Sequence, residues 1–433
     1  MFEQVTWSIR LSDLYLIKKE KLARTLLFSG MLLAFLGSLN PWFLWPLGKL
    51  YIIPAAMLVG TAILVARSMS ENKFFTRKDV LIPLIVLVAF MIYERMSTNA
   101  NINGYIIQFF RLVVFYALFT MDFAYLRRMA NFICKVMGGL LAISIAGHFL
   151  YILGFPLPGR DVEFDEFYSF TNHYLFLLDD RNLFLIFPRF NSYFLEPSHI
   201  GQACAFLLLT QRGMWKRWYN MVLVATVLLS FSLAAYAYLL AVLFFNQWIS
   251  RKNVIGKVLI AIAAIAIATV VAFNYNKGEN LVHDLILLRL EVNDGELVGD
   301  NRVTDDFLSE YESFVESSDI VFGRNFEIIE FGNAGYRVFF YENGIIGVFL
   351  IFLLYFTSIM YATNRRAIIA VMTILLLYFW ATAFMMWECV FFPLYAAAYL
   401  ATEPSDISEI AEVLEPVEAL EAVAEVGPSN SDS

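Results

Sequence analysis

Long apolar runs separated by short polar breaks fill most of this chain. Each run of about 18 or more residues is long enough, as a helix, to cross a hydrocarbon core about 30 Å thick. The pattern predicts spans at 22–40, 47–66, 80–95, 104–124, 129–154, 198–211, 219–232, 234–249, 254–274, 337–361, 366–384 and 387–401. One long run must turn back at Ser230-Phe231-Ser232 to give that count. The first run follows Glu3, Asp13 and a basic cluster and has no small-residue cleavage site, so it reads as an uncleaved first helix.

Composition agrees with a membrane chain. The 433 residues are 60% hydrophobic and 16% charged, against roughly a quarter charged in a soluble domain. The expected fold class is an all-α polytopic membrane protein with about twelve transmembrane helices. Cys134, Cys204 and Cys389 lie in apolar stretches and give no disulfide framework.

The net charge of -8 divides unevenly. Nine acids and no Lys or Arg occupy 401–433, and fourteen acids against four bases occupy 275–336, which leaves +11 on the rest. With the N-terminus cytoplasmic, the inner loops hold nineteen bases, among them Lys18, Lys19, Arg67, Arg77, Arg127, Arg128, Arg217 and Arg366. The short outer loops hold only Lys49. That asymmetry is the positive-inside pattern and puts both termini in the cytoplasm. The chain then divides into a cytoplasmic segment 1–21, a transmembrane domain 22–401 and an acidic, disordered tail 402–433.

Two connections, 155–197 and 275–336, are far longer than the rest, and the alternation puts both on the outer face. Long loops of this kind usually carry function. Their acids, arginines and aromatics suit a carbohydrate surface, and they suit a plain interfacial cap as well.

Arg111 lies within the fourth span, about 10 Å below its outer end. It needs a partner or a wet cavity there, whether by snorkelling, by pairing with a structural acid or by meeting a ligand. The stretch Arg189-Phe190-Asn191-Ser192-Tyr193-Phe194-Leu195-Glu196-Pro197-Ser198-His199-Ile200-Gly201 says more. Pro197 suits a first helical turn, with Glu196 at the cap and the helix running inward. Its free N–H groups and positive dipole end would meet an outer anion such as a diphosphate, with Arg189, Ser198 and His199 close by. Glu196 could serve as a base, but a helix N-terminus stabilises its charged form, and simple capping is the alternative. His199 reads better as a satisfied histidine than as a catalyst.

In the second long loop, Asp300-Asn301-Arg302 precedes an amphipathic segment 303–315, then Phe322-Gly323-Arg324. Asn333-Ala334-Gly335-Tyr336-Arg337 opens the tenth span, followed by Tyr341-Glu342-Asn343-Gly344-Ile345-Ile346-Gly347. Arg302, Arg324 and Arg337 could meet the first loop's arginine over one pocket. A metal is poorly supported, since the four histidines (His148, His173, His199 and His283) form no H-E-x-x-H and no CxxC is present. No P-loop or GxGxxG suggests a nucleotide, and nothing suggests nucleic acid.

Arg189–Gly201, with its F-x-E-P-S-H-x-G core, resembles a motif of the O-antigen (oligosaccharide repeat-unit) polymerases of bacterial envelopes. The reversal Leu229–Tyr236 and the run from Arg302 through Phe322-Gly323 and Asn333 to Gly347 are similar to that family as well, so the likeness covers roughly 105–385. Related O-antigen ligases carry a histidine just before the matching late helix, where this chain has Asn333 to Tyr336, and this departure favours a polymerase. The resemblance implies a GT-C-like catalytic membrane domain in the bacterial inner membrane. It would move a growing glycan from undecaprenyl diphosphate to a lipid-linked repeat unit, with no metal or soluble cofactor. Arg189 and Arg302 best match the family's functional arginines. Expected partners are the lipid-linked oligosaccharide, the bilayer, a flippase and a chain-length regulator. A ligase is the nearest alternative. A twelve-helix transporter fits less well, because its polar breaks should lie at mid-membrane.

Overall fold

The computed structural model describes residues 11–70, 72–97, 102–164, 169–180, 188–211, 214–249, 292–293, 296–297, 305–324, 335–360 and 364–388, with Gly256, Val270 and Asn274. The predicted spans 254–274 and 387–401, the tail 402–433, Arg302 and Asn333 lie wholly or almost wholly outside them.

The protein is mostly helical, with helices where the apolar runs predict them. They are α1 (Leu11–Ser38), α2 (Ile52–Arg67), α3 (Leu81–Ser97), α4 (Ile102–Thr120), α5 (Phe123–Ile152), α6 (Pro197–Thr210), α7 (Trp218–Leu229) and α8 (Leu233–Ile249). After the second long loop come α9 (Asp305–Val315), α10 (Gly335–Ile359) and α11 (Arg365–Glu388). Among the described residues, four helical stretches are long and apolar enough to cross a membrane: Ile17–Ser38, Trp42–Arg67, Phe123–Ile152 and Tyr336–Ile359.

Several boundaries depart from the sequence-based expectation. α5 already begins at Phe123, so Arg127 and Arg128, expected in a loop, are helical, and α11 runs on to Glu388 through the expected break at 385–386. α1 starts at Leu11, so helix already fills the second half of the segment expected as a cytoplasmic leader. The expected second span opens as a tight 3-10 stretch, Trp42–Tyr51, because Pro46 and Gly48 (φ +48°) do not suit a regular α-helix. Most consequential, α6 has only 14 residues and α7 only 12, about 21 Å and 18 Å at 1.5 Å per residue, so neither alone crosses a 30 Å core.

α6 is nonetheless deeply enclosed, with every residue but His199 buried. It packs against α7 and α8, whose reversal carries Phe231 at φ +45°. Gly201 makes the fit possible, since a Cβ there would stand 2.6 Å from the Ala235 Cβ and 2.9 Å from the Ser230 Oγ. Small residues let helix backbones approach this closely where burial in lipid gives no other drive to associate.

The all-α expectation needs one amendment, in the first long loop. Strands β1 (Arg160–Glu163), β2 (Ser169–Asn172) and β3 (Leu177–Asp179) form a small antiparallel sheet. Phe170, Leu177 and Leu195 pack there beside Trp42 and Trp45. A second pair, β4 (Val292–Asn293) and β5 (Glu296–Leu297), lies in the other loop.

Candidate active site

The stretch 188–201 folds as its composition requires. Pro197 occupies the first turn of α6 and Glu196 the cap position, with extended backbone at φ -130° and ψ 142°. The Glu196 carboxylate does not close the helix end. It accepts from the Ser198 hydroxyl at 2.7 Å and lies 3.7 Å from His199 Nε2. The first-turn N–H groups are therefore left uncapped by that side chain, at the positive end of the helix dipole.

Arg189 reaches the same place from the loop. Its Nε donates to the Ser230 carbonyl at 3.3 Å, and the Phe190 amide donates to the Leu229 carbonyl at 3.1 Å. Two stretches singled out in the sequence, Arg189–Gly201 and Leu229–Tyr236, thus meet at the N-terminus of α6. Beneath them His148 of α5 sits edge-on to Phe190 and Phe176, with ring centroids 5.2 and 5.3 Å away. This fully buried aromatic wedge fixes the loop on the bundle.

The second long loop is held differently. α10 breaks at Gly344 (φ +60°), and the segment Val321–Arg324 fills the break. The Arg324 amide donates to the Tyr341 carbonyl at 2.8 Å and the Ile346 amide to the Val321 carbonyl at 3.2 Å. A Cβ on Gly323 would stand 2.3 Å from the Glu342 carbonyl oxygen, so only glycine fits there. The Tyr93 hydroxyl of α3 lies 2.7 Å from the Phe322 carbonyl oxygen and 2.8 Å from that of Asn343, closing the joint.

Arg324 is used within this loop. It pairs with Asp319 at 2.9 Å and Glu310 at 3.2 Å and lies over the Phe314 and Tyr341 rings. The hydrogen bond to Asp319 holds its guanidinium above the usual range. Tyr336 and Arg337 begin α10, with the Arg337 guanidinium 6.0 Å from the Tyr336 ring centroid and both in electrostatic range of Tyr311 on α9.

Arg111 is 6% exposed, which excludes snorkelling to a lipid-facing surface. One helical turn toward the N-terminal end of α4, Gln108 is equally enclosed and donates to Glu94 of α3 at 2.6 Å. Glu342 faces Glu94 across the α3–α10 contact and is in range of Lys49. Sequence inspection passed over Glu94 and Gln108 because each ends an apolar run beside a short loop. An acid and an amide flanking the single 96–103 connection were the available signal.

The Trp42–Tyr51 stretch joins the two regions. The Trp42 amide donates to the Tyr193 carbonyl at 2.9 Å, while Lys49 near its other end faces Glu342. A separate apolar cleft of about 260 Å³ opens between α3 and α4, lined by Leu84, Val88, Phe109, Leu112, Val113 and Tyr116, none of which was singled out in the sequence. Among the described residues no group of three His, Cys, Asp or Glu side chains could hold a metal ion. No protein family, curated protein or solved structure matches the chain.

Proposed function

We propose that this protein is a membrane glycosyltransferase of the O-antigen polymerase type, with the finer fold of twelve spans in a GT-C-like arrangement. It would extend a surface glycan at the outer face of the bacterial inner membrane. The donor would be a growing chain on undecaprenyl diphosphate and the acceptor a fresh lipid-linked repeat unit, supplied by a flippase and limited by a chain-length regulator.

The observation that carries this reading is the meeting of Arg189, the uncapped N-terminus of α6 and the α7–α8 reversal at one place. As the bond from the sugar to the diphosphate breaks, negative charge develops on the departing oxygens. A guanidinium and oriented N–H groups fixed before the reaction stabilise that charge without reorganising. Ser198 and His199 lie in the first turn, where they would line the headgroup. Arg302, Arg337, Tyr336 and Asn333 would reach it from the second loop. Glu196, turned toward Ser198, fits the role of orienting the first turn better than that of a base.

The test uses the full chain in nanodiscs with purified lipid-linked repeat units. Wild type should give a ladder of repeats. Arg189→Ala and Arg302→Ala should each lose at least about 100-fold in extension while inserting normally, as expected for removal of a transition-state charge partner. Arg302→Lys should also be impaired if the contact is bidentate. A single transfer by wild type would indicate a ligase, and full activity in both alanine variants would refute the assignment.

A further inference from the structure

α3 and α4 follow one another in the chain, yet each packs more extensively on another helix, α3 on α10 and α4 on α2. Gln108 and Glu94 tie the pair together near their connection, and at the other end the Arg77 amide donates to the Thr120 carbonyl at 3.1 Å. Between these two ties lies the cleft walled by Leu84 and Val88 of α3 and by Phe109, Leu112, Val113 and Tyr116 of α4. The walls are only partly buried and Phe109 is 63% exposed, so the cleft opens sideways from the bundle. Every wall residue is apolar except Tyr116, whose hydroxyl accepts from Nη2 of Arg67 at 2.9 Å. Arg67 is exposed and is the last residue of α2. The stretch Trp42–Arg67 is long and apolar enough to cross a membrane, which puts that last residue at a headgroup layer.

A ligand that matches both features carries a hydrocarbon chain with an anionic group at its head. The chain regains the contacts that an empty cleft forfeits, and the anion meets a guanidinium already oriented by the Tyr116 hydroxyl. We propose that the α3–α4 cleft binds one acyl chain of an anionic phospholipid, with the phosphate on Arg67. The charge at this end favours such a lipid over a zwitterionic one, since 67–80 carries Arg67, Lys73, Arg77 and Lys78 against Glu71 and Asp79. The site is separate from the one around Arg189. α5 starts at Phe123, just past the Thr120 end of α4, and is long enough to cross. Near its other end it carries His148, against which Phe190 packs beside Arg189. Arg67 and Arg189 therefore belong to opposite faces of the bundle, and the inference needs a bilayer but not the glycosyltransferase reading.

The experiment places the full chain in phosphatidylcholine vesicles with a trace of a photoreactive lipid that bears a diazirine midway along one acyl chain. Two probes are compared, one with a phosphatidylglycerol headgroup and one with a phosphatidylcholine headgroup, and the labelled peptides are mapped by mass spectrometry. In wild type, 84–88 and 109–116 should be labelled about fivefold more by the phosphatidylglycerol probe, and added salt should narrow the difference. Arg67→Gln, at an exposed position, should abolish that preference while labelling by the phosphatidylcholine probe stays within about twofold. Val113→Trp should fill the cleft and reduce labelling by both probes; if it fails to insert, the Arg67→Gln arm decides alone. Equal labelling by the two probes in wild type would overturn the site, as would a preference that survives Arg67→Gln. Displacement of the phosphatidylglycerol probe more readily by undecaprenyl phosphate than by unlabelled phosphatidylglycerol would also overturn it, in favour of an isoprenoid groove.

Discussion

The two long loops are anchored by opposite means. The first rests on apolar and aromatic contact: Phe190 and Phe176 against His148, and Phe170, Leu177 and Leu195 beside Trp42 and Trp45. The second rests on backbone hydrogen bonds threaded through a helix break, with Gly323 and Gly344 permitting the contact. Their arginines differ accordingly. Arg189 reaches a main-chain carbonyl beside a helix N-terminus, whereas Arg324 is matched by two carboxylates of its own loop. Arg324, matched by acids of its own loop, serves the fold first.

The largest effect should come from the interlock. Gly323→Ala combines a left-handed backbone with a 2.3 Å approach to a carbonyl oxygen, and should cost about 2–4 kcal/mol of local stability. Limited proteolysis should cut between 305 and 324 much faster than in wild type, while cleavage in 155–180 stays unchanged. Equal acceleration in both loops would show that they are one unit rather than two.

Arg324→Gln should be milder, about 0.5–1 kcal/mol for losing half-exposed ion pairs. The same proteolysis should read this as a modest loosening. The accompanying loss of chain extension should be well below that of Arg189→Ala, and parity between the two would erase the distinction between a structural and a charge-donating arginine.

The smallest effect is expected in the sheet. Asp180 is held above the usual carboxylate range by burial and by the neighbouring Asp161 and Asp179 charges, and it accepts from the Ser169 hydroxyl. An aspartate whose folded value is raised favours folding more as pH falls into the acid range and disfavours it once ionised. Asp180→Asn should therefore stabilise the fold slightly at neutral pH, by about 0.2–1 kcal/mol for relieving like charges, seen as a higher thermal midpoint, and have no effect at pH 3. A lower midpoint at neutral pH would mean that the carboxylate holds the sheet together.

Hydrophobic runs located nearly every described helix, since burial in lipid demands the same apolar length wherever it occurs. Pro197 and Glu196 likewise marked the start of α6 to the residue. Helix length was less legible. Whether α6 crosses depends on Gln211 and the turn beyond it, and no local propensity encodes how deep a fully buried helix sits. The three-stranded sheet was missed because its strands have only three or four residues, too few for alternation to emerge. Arg111 stood out as an isolated charge, but Glu94 and Gln108 acquire meaning only once α3 and α4 are placed side by side. That pairing is tertiary, and no spacing along the chain announces it.

The shortness of α6 has a consequence for how any ligand arrives. Just beyond its far end, Arg217 donates to Asn131 and Tyr219 at a boundary rich in basic residues. Were that boundary at one headgroup layer, the opposite tip would lie about 9 Å short of the other edge of the hydrocarbon slab. A headgroup gripped there is recessed below the water interface, so a molecule tethered to an isoprenoid tail would slide in sideways along the leaflet, and a freely diffusing sugar nucleotide would have no comparable path.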